Sequence, residues 1–229
     1  MNHLIFIYLV LIMFFIQPVV YGQFDPFVDA FNRRDDHKRP TVDENGIPYS
    51  EIDGCNFCAD VLKTANEKSF KGLPSKPATS FRLTLRPTFS KPVIIMYHED
   101  SVSDYIEIKR LSGKGGYDLG HVELYGKIKV AKNTISRITQ TIKSKAFENL
   151  SKMSYEERVA SVALDGAWWT LETLDIRGLK VIDLHGPEAL RDNLSEDRVL
   201  VSKFAVSEFV KLGKDLFEIV GLSRSGYFE

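Results

Sequence analysis

Short runs of alternating apolar and polar residues dominate the chain from residue 81 onward. Residues 81–85, 105–109 and 122–130 alternate at every second position, and residues 93–97 form a short apolar run. A period of two is typical of a strand that buries one face. The pattern therefore predicts four strands before residue 131.

A helix, a hairpin and a second helix are predicted after these strands. Thr134 precedes apolar residues at helical spacing, which predicts a helix with Thr134 as its N-cap. Residues 167–174 and 179–185 alternate on either side of a turn sequence at 175–178, which predicts a β-hairpin. Residues 202–220 predict a helix that packs on a sheet, because one of its faces is apolar. That face contains Val206, Phe209, Val210, Gly213, Leu216, Phe217 and Val220.

The order of these elements, β-β-β-β-α-β-β-α, predicts the fold class. It is α+β, with a mostly antiparallel sheet of about six strands packed against two helices. The chain has 229 residues, of which 44% are hydrophobic and 27% are charged. These values are ordinary for a globular protein with its own core. We therefore assign residues 81–229 to a single α+β domain.

Residues 23–80 lack this regularity. Five of the nine prolines of the chain lie in this region, at Pro26, Pro40, Pro48, Pro74 and Pro77. Apolar periodicity is weak except at residues 59–62, which are consistent with the start of one short helix. This composition predicts an irregular, partly ordered N-terminal arm that leads into the domain.

The first 22 residues have the features of a secretory signal peptide. Residues 4–20 are almost continuously apolar, and Val20 and Gly22 suit the two specificity positions before a cleavage site at Gln23. The first three residues contain no Lys or Arg, which leaves a retained N-terminal anchor as the alternative. The expected protein is exported, periplasmic or secreted, with no membrane contact beyond the signal peptide.

Charge and composition narrow the classes of partner. Thirty basic and thirty-one acidic residues give a net charge of −1. Proteins that bind nucleic acid usually carry a basic surplus, because they neutralise phosphates. We therefore expect no nucleic-acid partner. No motif calls for a cofactor, and none is predicted.

Cys55 and Cys58 form a Cys-x-x-Cys motif within the arm. In an exported protein the pair favours a small local disulfide, because the compartment is oxidising. Thiol redox chemistry is an alternative if a helix begins at the motif and stabilises a thiolate. A zinc site needs about four ligands, and no His pair lies nearby in the sequence. We predict no metal site.

The segment 112–120 is glycine-rich and contains Lys114. A phosphate-binding loop requires Ser or Thr after the lysine and a helix after the loop. Here Gly115 follows Lys114, and a strand is predicted next. The segment is therefore interpreted as a flexible loop between two strands.

The predicted hairpin separates two sets of side chains. With the turn at 175–178, Trp169, Leu171, Ile182 and Leu184 lie on an apolar core face. Trp168, Glu172, Asp183 and His185 lie on the other face, with Trp168 opposite His185 and Thr170 opposite Asp183. We interpret this second face as a half-solvated sheet surface. It also holds the candidate catalytic residues Glu172, Asp183 and His185 and the candidate binding residue Trp168.

The hairpin and the closing helix resemble small exported bacterial proteins of unknown function. The resemblance is carried by residues 164–172 (LDGAWWTLE), 181–183 (VID), 186–188 (GPE) and 209–222. The members of that group also resemble this chain in the order of their elements, which are a signal peptide, a β-rich front, a helix, a hairpin and a C-terminal helix. Its members often have an aromatic residue and then Ser before Pro-Glu, where this chain has His185 and Gly186. The resemblance implies a bacterial origin, and it carries no catalytic residue over to this chain.

Three functions remain as hypotheses. The first is a non-enzymatic binding, inhibitor-like or immunity-type protein with an unknown protein or envelope partner. The second is a hydrolase or carbohydrate-active enzyme that uses Glu172, Asp183 and His185. The third is a thiol redox protein that acts through Cys55 and Cys58.

Overall fold

A computed structural model of the chain provides the fold. The structure describes residues 58–68, 70–71, 73–74, 79–98, 104–153, 166–193, 200–223 and 227. The predicted signal peptide at residues 1–22 and the first cysteine, Cys55, lie outside these ranges.

Six antiparallel strands form one sheet. They are β1 (Ser80–Pro87), β2 (Val93–His98), β3 (Tyr105–Leu111), β4 (Val122–Lys129), β5 (Ala167–Asp175) and β6 (Gly178–His185). Their order across the sheet is β4-β3-β2-β1-β5-β6, and each neighbouring pair is antiparallel. The α+β fold class with a mostly antiparallel six-stranded sheet is confirmed.

Five helices accompany the sheet in the described part of the chain. They are α1 (Ala59–Thr64), α2 (Lys132–Ile142), α3 (Lys145–Leu150), α4 (Pro187–Asn193) and α5 (Leu200–Ile219). No helix in the described ranges is long and apolar enough to cross a membrane.

The helix predicted after Thr134 differs in detail from the prediction. Ala131, with an extended backbone, is its N-cap, so Thr134 is not. The N–H of Thr134 donates to the neighbouring side chain of Asn133 instead, over 2.8 Å. Extended backbone at Ser144 then divides the predicted helix into α2 and α3.

Helices α2 to α5 cover one face of the sheet, which we call the helical face. Along each strand, residues of the helical face alternate with residues of the opposite face. In β1 the residues on the helical face are Phe81, Leu83 and Leu85, and all three are buried. Trp169 is 1% exposed, and its ring centroid lies 6.0 Å from that of Phe209 on α5. The predicted apolar faces of the hairpin and of the C-terminal helix meet here and build the main core.

The opposite side of the sheet, which we call the polar face, is partly covered by the described residues of the segment 58–73, namely 58–68, 70–71 and 73. Val61 and Leu62 of α1 pack on Ile94 of β2, and Phe70 packs on Met96 of the same strand. Part of the predicted arm therefore contributes buried side chains to the domain. The short helix expected at residues 59–62 is present as α1.

Backbone hydrogen bonds connect the glycine-rich loop 112–120 to the β1–β2 loop, which the prediction of a flexible loop did not include. The N–H groups of Gly115 and Gly116 donate to the carbonyls of Ser90 and Thr88, over 3.1 and 2.9 Å. A Cβ on Gly115 would lie 2.3 Å from the carbonyl oxygen of Pro87. Glycine is therefore needed here for the close approach of two loops. The loop joins two strands, as predicted.

Candidate functional site

Glu172 forms a buried ion pair with Arg82. Both of its carboxylate oxygens accept hydrogen bonds from the guanidinium of Arg82, and the Nη2–Oε1 distance is 2.6 Å. The side chains of Arg82 and Glu172 are 0% exposed. Nη1 of Arg82 donates to the carbonyl of Lys68 over 2.6 Å, and the Phe70 ring lies 4.5 Å from its Cζ atom. Both carboxylate oxygens of Glu172 are therefore bonded to Arg82, and this buried side chain has no access to a substrate.

Asp183 is also held within the sheet. It is 8% exposed, and its Oδ1 accepts a hydrogen bond of 2.6 Å from the hydroxyl of Thr170, which is 0% exposed. The two residues are cross-strand neighbours on β5 and β6, as the hairpin arithmetic predicted. The interpretation of this face as half-solvated is wrong for Glu172, Thr170 and Asp183, because all three are buried.

Trp168 and His185 form a half-buried pair at the end of the hairpin. Their rings are cross-strand neighbours with centroids 4.8 Å apart and an interplanar angle of 42°. Burial lowers the pKa of His185 below its usual 6.5, so the neutral imidazole is favoured. Nδ1 of His185 and the hydroxyl of Thr84 are buried without a hydrogen-bond partner.

These candidate residues do not converge on one point. Four positions separate Trp168 from Glu172 along β5, which is about 13 Å at the rise of a strand. Within the described ranges, no group of three His, Cys, Asp or Glu residues is placed to hold a metal ion. The polar face thus lacks the mutual geometry that acid–base catalysis requires.

Cys58 lies at the N-cap of α1 and is 1% exposed. Reactive cysteines need solvent access as well as a stabilised thiolate, and a side chain this buried lacks that access. Because Cys55 lies outside the described residues, its disulfide with Cys58 stays a prediction.

An exposed pair of aromatic rings lies at one end of the sheet. Phe89, between β1 and β2, is 52% exposed, and Tyr117, between β3 and β4, is 69% exposed. Their ring centroids are 6.0 Å apart. We call this pair the aromatic tip. Sequence analysis missed it, although each aromatic residue lies in a polar loop between two predicted strands.

Charged side chains near the aromatic tip connect its loops to the strands of the sheet. Nε of Arg86 donates to the carbonyl of Gly115 over 2.8 Å, which ties β1 to the glycine-rich loop. Glu123 of β4 accepts from Lys91 and Arg110 over 2.6 and 2.7 Å. Partial burial raises the pKa of Glu123, but these two cations outweigh that effect and hold it below its usual value. The loops that carry the tip are thus tied to the sheet.

Among the cavities in the described part of the molecule are two with charged residues in their lining. One, of about 230 Å³, is lined by α1, by Arg86 of β1 and by Tyr117 and Asp118 of the glycine-rich loop. The other, of about 620 Å³, runs between α2 and α5 and has both acidic and basic residues along its rim. The smaller cavity adjoins the aromatic tip, because Tyr117 belongs to both.

Comparison with known proteins places this chain in no group. No family model, no curated protein and no solved structure matches it.

Proposed function

We propose that this chain is an exported, non-enzymatic binding protein, inhibitor-like or immunity-type, that contacts a protein or envelope partner through the aromatic tip. The observation that carries the proposal is the pair Phe89 and Tyr117, exposed side by side on loops held by backbone hydrogen bonds. Rigid aromatic side chains lose little conformational entropy on binding, and they are frequent anchors of protein interfaces.

The rigidity of the two loops strengthens this proposal. Gly115 and Gly116 connect the loops directly. A Cβ at Gly115 would clash with Pro87 at the end of β1, and a Cβ at Gly116 would clash with Thr88 in the β1–β2 loop. A surface that is ordered before binding has less entropy to lose when the partner arrives. The loops thus present the two rings in a preformed arrangement.

The two alternative functions have less support. An enzyme that uses Glu172, Asp183 and His185 needs a substrate to reach them, whereas Glu172 is fully buried against Arg82. Of the two cysteines of the motif the structure describes only Cys58, which is 1% exposed, so the redox alternative rests on the Cys-x-x-Cys pattern alone. Export rests on the signal-peptide pattern of residues 1–22.

A capture experiment with the mature protein, expected to begin at Gln23, tests the proposal. The wild type and a Phe89→Ser/Tyr117→Ser variant are immobilised and exposed to periplasmic, envelope and culture fractions of the producing cell. We expect the wild type to retain a saturable partner that the variant binds at least tenfold more weakly, a loss of about 1.4 kcal/mol or more.

Ile176→Ser is the matched control. Ile176 is 72% exposed and lies in the β5–β6 turn at the opposite end of the sheet. It should leave capture unchanged, and all variants should retain the wild-type melting temperature. The proposal fails if no fraction contains a saturable partner, or if the tip variant retains that partner fully.

A further inference from the structure

Strand β4 forms one edge of the sheet, because it is the first strand in the order across the sheet and pairs only with β3. Among the described residues, no backbone hydrogen bond outside the β3–β4 ladder involves residues 124–129. An edge strand with unpaired N–H and C=O groups is a template on which another strand can pair.

The backbone groups that face outward from β4 belong to every second residue. The N–H of Val130 donates to the carbonyl of Asp104 over 3.1 Å, and this pair continues the register of β3 and β4. In an antiparallel pair, opposite residues that exchange hydrogen bonds alternate with opposite residues that do not. The even-numbered residues 124–130 therefore bond to β3, whereas Tyr125 and Lys127 direct their N–H and C=O groups away from it.

The sequence on either side of Gly126 is complementary to itself. In an antiparallel pairing of two copies of β4 centred on Gly126, Tyr125 of one copy lies opposite Lys127 of the other. Leu124 lies opposite Ile128 in the same way. An aromatic ring opposite a cation and two apolar side chains opposite each other are favourable cross-strand pairs. No two like charges lie opposite each other between residues 124 and 128.

The backbone and the burial of β4 agree with this alignment. Tyr125 and Lys127 both have outward N–H and C=O groups, so each such pair exchanges two hydrogen bonds across the junction. Gly126 then forms a pair without hydrogen bonds, in which opposite Cα atoms approach to about 4.5 Å. Leu124 and Ile128 are only partly buried against the core of their own copy, so they have apolar surface left to bury against the second copy.

The contacts of Lys127 within its own copy are compatible with the pairing. Its Nζ lies 3.6 Å from Oε2 of Glu107 and 4.8 Å from the ring centroid of Tyr105. Its side chain is still 49% exposed. Tyr125 of the second copy can therefore pack on Lys127 without breaking the ion pair with Glu107.

Other alignments of two β4 strands are less favourable. A shift by one residue would join the helical face of one copy to the polar face of the other. Centring the pair on Lys127 would set two ammonium groups opposite each other, and centring it on Ile128 would set Lys127 opposite Lys129. Centring it on Tyr125 would set Leu124 opposite Gly126, which loses the apolar pair.

The other edge strand, β6, lacks this self-complementarity. A pairing of two copies of β6 centred on Val181 or on Ile182 would set Lys180 opposite Ile182 or opposite Leu184. Both arrangements would place an ammonium group against an apolar side chain. Self-pairing is therefore expected at β4 and not at β6.

We propose that two copies of this chain pair edge to edge along β4, centred on Gly126, so that their two six-stranded sheets form one continuous antiparallel sheet. Because the two copies of β4 run in opposite directions, the two aromatic tips lie at opposite ends of the joined sheet. Both tips stay accessible. The inference goes beyond the proposed function and does not rest on it.

Analytical ultracentrifugation of the mature protein, at concentrations up to about 1 mM, tests the dimer. The wild type should dimerise reversibly as its concentration rises. Lys127→Pro removes an outward N–H that β3 does not use, and proline is tolerated in an edge strand at such a position. It should weaken the dimer about tenfold or more. Val181→Pro is the matched control, since the N–H of Gly186 donates to the carbonyl of Ala167 and this register directs the N–H of Val181 outward from β6. It should dimerise as the wild type does.

Two charged variants at one position test the alignment. Tyr125→Glu and Tyr125→Lys lose the same ring, but the first sets a carboxylate opposite Lys127 of the second copy and the second sets a like charge there. The dissociation constant of the Tyr125→Lys dimer should be about tenfold larger than that of the Tyr125→Glu dimer.

Three results would overturn the proposal. They are a wild type that stays monomeric up to about 1 mM, a folded Lys127→Pro variant that dimerises fully, and equal dissociation constants for the two Tyr125 variants. Phe89→Ser/Tyr117→Ser separates this proposal from the proposed function, because it should lose partner capture and still dimerise.

Discussion

The two faces of this sheet are both buried, but they are buried by different chemistry. On the helical face, Leu83 and Trp169 pack against an apolar core. On the polar face, Arg82 and Glu172 are just as inaccessible, as an ion pair beneath the described part of the segment 58–73. Apolar burial contributes roughly 25 cal/mol per Å², whereas a buried ion pair is often close to neutral for stability. A strand face that carries polar residues is therefore no evidence that this face is exposed to solvent.

The largest effect should come from the helical face. Trp169→Ala is expected to lower the free energy of unfolding by about 5 kcal/mol, the upper end for truncating a buried aromatic residue. The ring packs on Phe209, and an added Cβ on Gly213 would lie 2.4 Å from it, so a cavity would remain. Urea denaturation measures the loss. Trp168→Ala is the matched control and should have a small effect, since Trp168 is only half-buried. A larger loss for Trp168→Ala would contradict the assignment of the two faces.

The second-largest loss of stability is expected from a substitution on the polar face. Arg82→Met retains much of the aliphatic volume but leaves Glu172 buried without its partner, at a cost of about 3 kcal/mol. The double variant Arg82→Met/Glu172→Leu removes both charges and should recover most of that loss. Urea denaturation of the single and double variants decides the point. If the double variant is as unstable as Arg82→Met, packing and not the unpaired charge is responsible.

The smallest effect should be a pH dependence from His185. Burial lowers the pKa of this histidine below 6.5 in the folded protein, so the unfolded chain binds the proton first as the pH falls. The stabilising contribution is fully present above pH 6.5 and is lost as the pH falls through the folded pKa. His185→Gln should reduce this loss, measured as urea midpoints above and below pH 6.5. A His185→Gln variant that retains the full wild-type pH dependence would count against His185.

Strand periodicity and turn length were sufficient to predict the six strands and the register of the hairpin, but not the order of the strands across the sheet. The alternation around Trp169 identified its buried face, and the two-residue turn after Asp175 set the register that places Trp168 opposite His185. A hairpin register follows from local geometry alone. The pairing of Arg82 with Glu172 was not predictable in the same way, because β1 and β5 are distant in the sequence.

The core contact of α1 and the exposed pair Phe89 and Tyr117 could not be predicted from the local sequence pattern. The apolar stripe of α1 extends over less than two turns, through Val61 and Leu62, so its periodicity was too short to indicate a core contact. Phe89 and Tyr117 belong to alternate loops of an antiparallel meander, which places both at one end of the sheet. Their exposure depends on how the backbone of the two loops meets.

The buried ion pair also has a consequence for how the chain assembles. Arg82 and Glu172 are 90 positions apart and lie at the seam where the β1–β4 meander joins the β5–β6 hairpin. A slip of one residue at this seam would invert one half relative to the other and turn either Arg82 or Glu172 toward the helices, into an apolar core without its partner. Every alignment shifted by an odd number of residues would be penalised in this way. The pair thus selects one alignment during folding, although it adds little to the stability of the finished sheet.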